Sequence, residues 1–162
     1  MIEQYSNRIR IKYLKTETNS GPGIARQLGL DNATSDWVIF HDDDDELYDN
    51  YVIENYLKAI DINEKNLASV TGKILNKCVS STYSDIIHSS VGAVNSTLFN
   101  RQILKNLNIH FEPNLSFCDE DGCFEFMFEI YTRNYHRKLI DKIMYVHQMD
   151  DNKHDSLTAL RP

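Results

Sequence analysis

Trp37-Val-Ile-Phe-His41 is an apolar run that stops in four consecutive aspartates, Asp42 to Asp45, before Glu46 and Leu47. The β-branched and aromatic make-up of the run predicts a buried strand over residues 36–41. Side-by-side carboxylates repel, so a packed fold holds such a cluster only if something cationic compensates it. A hard divalent ion with oxygen ligands, Mn²⁺ or Mg²⁺, is the usual compensator; a solvated acidic turn is the plain alternative. In an extended segment alternate residues face the same way, so Asp42 with Asp44, or equally Asp43 with Asp45, would point together. An EF-hand is excluded, because no glycine stands at the sixth loop position whichever aspartate starts the count.

The flanks suggest layers. Arg8-Ile-Arg-Ile-Lys-Tyr-Leu14 alternates polar and apolar residues and predicts a half-buried strand. Asn19-Ser-Gly-Pro-Gly23 is a turn leading into a helix over Ile24–Leu30, with Pro22 suited to the first turn. Further helices are predicted over 48–60, 97–106 and 121–134, and strands over 67–75 and 138–146. Residues 76–90 read as a loop or irregular hairpin, and 147–162 as a polar, loop-like tail. Strands alternating with helices predict an α/β fold, a mostly parallel sheet flanked by helices, as a single domain over residues 1–162. Ligands bind such sheets at the carboxyl ends of strands, which is where the aspartates fall.

Bulk properties narrow the class. The 162-residue chain is 41% hydrophobic and 25% charged, enough for one real core and not the composition of a disordered segment. A net charge of −7 argues against nucleic acid as a partner. The three cysteines form no C-x-x-C pair, which predicts a reducing compartment rather than a disulfide scaffold. No stretch is long enough for a membrane span, and Ile2-Glu-Gln-Tyr-Ser-Asn7 is no signal peptide. The expected location is cytoplasmic, either free or peripheral at the inner face of the membrane.

Three further constellations bear on chemistry. Gly21-Pro-Gly23 fails the dinucleotide fingerprint at Arg26 and lacks the Gly-Lys-Ser/Thr of a Walker A loop. It remains a glycine turn at a helix start, able to present amides to an anion, with Arg26 one turn inside adding charge, or simply a turn that lets the helix pack close. Cys118-Asp-Glu-Asp-Gly122 opens a helix, where carboxylates are favoured by the dipole and where one facing a cleft can act as a general base. His147 closes a strand and is either structural or an imidazole ligand for a metal.

Together, Asn19-x-Gly21-x-Gly23-x-Ala25-Arg26-Gln27-x-Gly29 and Phe40-His-Asp42-Asp43-Asp44-Asp45-x-Leu47 resemble the family 2 glycosyltransferases of GT-A fold. The family pattern is N-x-G-x-x-x-A-R-N-x-G followed by F-L-D-x-D-D-x-L. Aligning Phe40 and Leu47 makes Asp42-Asp43-Asp44 its D-x-D. Glu120-Asp121-x-x-Phe124 resembles the family's E-D-x-x-F, and Tyr145-Val-His147 with Asp155-Ser-Leu-Thr158 resembles its closing segment. Gln27 stands for the usual Asn and His41 for Leu. By the same resemblance the chain starts roughly 50 to 60 residues late for a complete domain, as if a strand, helix and strand were missing. A truncated reading frame, half of a split gene and an expression fragment all fit.

The resemblance implies an inverting, metal-dependent transfer from a nucleotide-diphosphate sugar to a hydroxyl acceptor, in polysaccharide or glycan synthesis. Asp44 would ligate Mn²⁺ or Mg²⁺, with Asp42 on the ribose or the ion's hydration shell and His147 as a third protein ligand. Asp121 would be the base, supported by Glu120, with Gly21 and Arg26 near the donor's phosphates. Two other readings stay open. One is a non-catalytic remnant or split half of the fold, its exposed edge covered by a partner chain or a second copy. The other is a divalent-metal phosphohydrolase.

Overall fold

The computed structural model describes residues 9–78, 84–87, 93–115 and 119–149. In chain order the elements are helix α1 (Pro22–Asn32), strands β1 (Trp37–Ile39) and β2 (Glu46–Leu47), helix α2 (Val52–Ala59), strands β3 (Leu67–Cys78), β4 (Ser84–Ile87) and β5 (Thr97–Asn100), helices α3 (Arg101–Asn106) and α4 (Asp119–Tyr131), and strand β6 (His136–Met149). A 3₁₀ turn, Val94–Ser96, precedes β5.

Six strands form one sheet in the order β1-β5-β3-β6-β2, with β4 paired to the far half of β3. Only β3 and β6 are parallel neighbours; every other pairing among the described strands is antiparallel. The expected parallel share was too large because β5 was hidden inside an expected helix over 97–106, β2 was not foreseen as a strand, and β4 pairs with β3 as a hairpin. Thr97-Leu-Phe-Asn100 is a short apolar run that periodicity cannot tell from a helical turn. Asn100 divides the two elements: its side chain accepts from the amides of Gln102 and Ile103 and caps α3. β5 then lies inverted between β1 and β3, which leaves β1, β3 and β6 pointing the same way. The α/β fold class stands, with the carboxyl ends of those three strands on one side.

The strand expected over 8–14 does not form at residues 9–14, where no described strand pairs with it and Ile9 and Tyr13 are 61% and 71% exposed. Alternation marks a strand only where a ladder partner exists. The hairpin reading of 76–90 holds in its described part, β3 against β4. Among the described residues no helix is long and apolar enough to cross a membrane. The tail from residue 150, including Asp155 and Thr158, lies outside the described residues, as does Cys118.

Leu98 and Phe99 show how the sheet separates two cores, since successive side chains point to opposite faces. Leu98 joins Val52, Tyr56, Leu67, Val70 and Met144 beneath α2. Phe99 joins Phe40, Phe111, Phe124 and Phe128 between the sheet and the helices α1, α3 and α4. Each fully buried Phe contributes about 2–3 kcal/mol through the area it removes from water. Phe111 stacks on Phe124 at 4.4 Å, and Phe40 meets Phe111 edge-on at 5.1 Å. This cluster ties the end of β1 to the first turns of α4, and so fixes the spacing between the chain's two acidic runs.

Candidate active site

The acidic runs meet across one arginine. Arg26, on α1, donates through Nη2 to Asp42 Oδ1 at 2.6 Å and through Nη1 to Asp121 Oδ1 at 2.7 Å. Its side chain is 13% exposed, against 31% for Asp42 and 30% for Asp121, so the bridge is largely out of water. Burial works against the guanidinium's charge, but Asp121, then Asp42 and Glu120, outweigh it and raise its pKa above the ordinary value. At Asp121 it is the charged form that is disfavoured. Burial pushes its pKa up to about 6, Arg26 pulls it down, and Glu120, Asp42 and Glu125 add to the rise.

The local sequence explains the placement. Gly21 takes φ +86° at the N-cap of α1, a conformation open to glycine, and Pro22 fills the first turn. Gly21 has no side chain to cap the helix, which leaves the first-turn amides to other acceptors. Gly23 is needed for space, because a Cβ there would sit 2.6 Å from Glu120 Cγ. Glu120 is 1% exposed, and its Oε2 has no hydrogen-bond partner among the described residues.

The four aspartates form a turn, not an extended segment. β1 ends at Ile39, and the Asp45 amide bonds the Asp42 carbonyl at 3.4 Å. The shared face expected for Asp42 and Asp44 therefore does not arise, because alternation holds only in extended chain. Instead Asp42 and Asp45 turn inward while Asp43 and Asp44 are exposed. Both oxygens of Asp42 are engaged, the second by Asn95 Nδ2 at 3.2 Å. Asp45 accepts the Tyr145 hydroxyl at 2.5 Å and the Gln148 amide at 2.9 Å, which fastens the turn to β6. Burial, then Asp45, raise the Tyr145 pKa, so the phenol stays a donor.

Of the predicted site residues, Asp42, Glu120 and Asp121 come together around Arg26, with Gly21 at the start of the same helix. His147 is exposed on β6, opposite Asn76 of β3. Among the described residues no three His, Cys, Asp or Glu side chains converge as a metal cage. A hard cation completed mainly by substrate phosphates needs only one or two carboxylates. Asp44 lies exposed at the tip of the turn, and Asp42 is held by Arg26 and Asn95.

Sequence reasoning passed over Asn95 and Glu125, and met Asp45 and Tyr145 only as members of motifs, without these contacts. Glu125, whose pKa is raised by burial, accepts the Val94 amide at 2.9 Å. The only sequence signal for it was its place one turn after Asp121. A hollow of about 630 Å³ lies against α1, His110 and Phe111, and none of these carboxylates lines it.

Fold and site together define a GT-A-type α/β domain with an arginine-bridged acidic centre at the carboxyl ends of its strands. Residues 1–139 match the family described as Glycosyl transferase family 2, and the chain belongs to that family. Among solved structures it is similar to S. aureus TarS 1–349 in complex with UDP-GlcNAc. The TM-score is 0.74 at 22% identity, over 99% of this chain and 48% of that one. A further crystal structure of S. aureus TarS 1–349 gives a TM-score of 0.69 at 24% identity, over 91% and 46%. The S. aureus TarS structure of greater length gives 0.65 at 22% identity, over 91% and 28%. The chain thus spans about half the length of the TarS 1–349 structures. No curated protein sequence matches it.

Proposed function

We propose that this chain is an inverting glycosyltransferase that moves a sugar from a nucleotide-diphosphate donor to a hydroxyl acceptor, in the synthesis of a polysaccharide or another glycan. The observation that carries the reading is Asp121, a half-buried carboxylate with its pKa raised to about 6 and tied through Arg26 to Asp42. A group titrating there is ionised at neutral pH yet basic enough to take a proton. Family membership and the UDP-GlcNAc complex of the TarS neighbour support the same donor class.

In this mechanism Asp121 accepts the acceptor's hydroxyl proton as that oxygen attacks the anomeric carbon. The bond from that carbon to the diphosphate breaks on the opposite face, and the diphosphate leaves with the electron pair. Glu120, buried behind Asp121, keeps the base's surroundings negative. Arg26 and the amides after Gly21 face the donor's phosphates, and Asp42 reaches the ribose side. Asp44 would hold Mn²⁺ or Mg²⁺, with His147 as a further ligand. Such an ion would neutralise charge gathering on the leaving diphosphate.

Calorimetric titration of UDP and GDP, each with and without Mn²⁺, tests the donor site. Manganese-dependent binding lost in Asp44→Ala is expected; equal binding without the metal would remove Asp44 from the role. Asp121→Asn should bind the nucleotide and fail to turn over the sugar donor.

A second reading has its own observation. The outer edge of β1 is unpaired among the described strands, and a groove of about 390 Å³ runs between it and α1, lined by Leu30, Trp37, Ile39 and His41. An open edge beside apolar walls suits a partner chain or a second copy. In that reading the chain is a binding or assembly partner and shows no nucleotide affinity alone.

A further inference from the structure

The hydrogen bonds around Arg26 close into a circuit through four elements. From α4, Glu125 accepts the Val94 amide of the 3₁₀ turn at 2.9 Å. The next residue, Asn95, donates from Nδ2 to Asp42 Oδ2 at 3.2 Å, and Asp42 Oδ1 takes Arg26 Nη2 at 2.6 Å. Arg26 Nη1 then reaches Asp121 at 2.7 Å, four residues before Glu125 on the same helix. Asn95 is the one neutral side chain in the ring.

Its chemistry suits the place. An ionised carboxylate only accepts, so the Asn95 amide must turn its NH₂ toward Asp42 and its oxygen away. That oxygen, Oδ1, is buried with no hydrogen-bond partner among the described residues. A buried amide left half-paired weakens a fold, so stability alone does not account for an asparagine here. Lysine or arginine at this position would draw Asp42 away from Arg26, and an acid would repel it. A neutral donor holds the second oxygen of Asp42 and leaves the first for Arg26.

We propose that Asn95 is a positioning residue for the transfer reaction: it fixes Asp42 from the 3₁₀ turn, so that Arg26 spans Asp42 and Asp121 at a set separation. The inference rests on the glycosyltransferase reading above. The groups facing Arg26 are Asp42 from the end of β1 and Glu120 and Asp121 from α4. Of these, Asp42 alone has a bond to the turn among the described residues. Without Asn95 the Asp42 carboxylate can rotate, and the guanidinium follows it away from Asp121. Small displacements of a reacting constellation cost rate more than affinity.

The test compares the full chain with Asn95→Ala and Asn95→Asp, using hydrolysis of UDP-N-acetylglucosamine with Mn²⁺ as the turnover probe and the Arg26 guanidinium resonances in NMR as the positional probe. In the parent chain the two Nη groups should be distinct, because each is pinned to a different carboxylate. Asn95→Ala should average them and lower kcat about tenfold or more, with the donor KM moving less than about threefold. Asn95→Asp should lose more kcat than Asn95→Ala, since it sets a carboxylate against Asp42. Unchanged Arg26 resonances in both folded variants overturn the inference, as does a fall in kcat that only follows the unfolded fraction. A parent chain without turnover counts against the transferase reading, while the guanidinium spectra still decide whether Asn95 positions Arg26.

Discussion

The two acidic runs hold their charge in opposite ways. In the turn at the end of β1, each inward aspartate has two donors: Asp42 has Arg26 and Asn95, and Asp45 has Tyr145 and the Gln148 amide. At the start of α4, Glu120 has a buried oxygen with no partner among the described residues, and Asp121 depends on Arg26 against three neighbouring carboxylates. Matched donors make the first run a scaffold. Unmatched burial makes the second a place where a proton is held easily. The same residue type anchors in one run and, in the mechanism proposed above, exchanges a proton in the other, and the neighbours decide which.

Asp121→Asn breaks the contrast most sharply. Turnover should fall about 10²- to 10⁴-fold, the usual reach of a lost general base. The parent's kcat/KM should rise with pH through about 6 as Asp121 ionises, and the variant should lose that limb. Stability should move the other way. The folded pKa of Asp121 lies above its unfolded value, so its contribution is present below about pH 4 and lost as pH rises through about 6. The substituted amide carries no such penalty, and after allowance for the partial exposure of the site the variant should gain about 1–2 kcal/mol at pH 7.5 in urea denaturation. Equal stability at pH 7.5 would mean that the carboxylate is not held against its charge.

Arg26→Ala removes the cation that the two runs share and leaves Asp42 with Asn95 alone and Asp121 without its ion pair. A loss of about 2–3 kcal/mol is expected at neutral pH, below the range for fully buried pairs because Asp42 and Asp121 are partly solvated. The deficit should shrink as pH falls below about 6, which chemical denaturation at pH 5 and 7.5 would show. A deficit independent of pH would locate the damage in packing.

Tyr145→Phe tests the scaffold run. It takes one donor from Asp45 and keeps the ring, and should cost about 1–3 kcal/mol in urea denaturation. No cost would mean that the Gln148 amide alone suffices. Asp43→Asn, at the exposed tip of the turn, should stay within about 0.5 kcal/mol and leave nucleotide binding unchanged. A larger effect would show that the tip is part of the scaffold after all.

Much of the fold could be read from local pattern. Pro22 after Gly21 marked the start of α1, the spacing of Val52 and Tyr56 marked α2, and Trp37 to Phe40 marked a strand whose end carries the acids. β5 escaped because four residues without alternation look alike in a strand and a helix, and with it went the direction of its neighbours. The stretch near Ile9 failed for the opposite reason: it has the alternation and no ladder.

The site divides along the same line. The residue types and their order, Arg26, Asp42, Glu120 and Asp121, were determined by the sequence, because motif spacing is a property of the chain. Which aspartates turn inward, which donors meet them and which carboxylate loses water without compensation were decided by the tertiary structure. Asn95 and Asp42 are 53 residues apart, and Arg26 and Asp121 are 95 apart. A carboxylate's pKa is set by the groups and the water within a few ångströms of it, and folding alone brings those groups within reach.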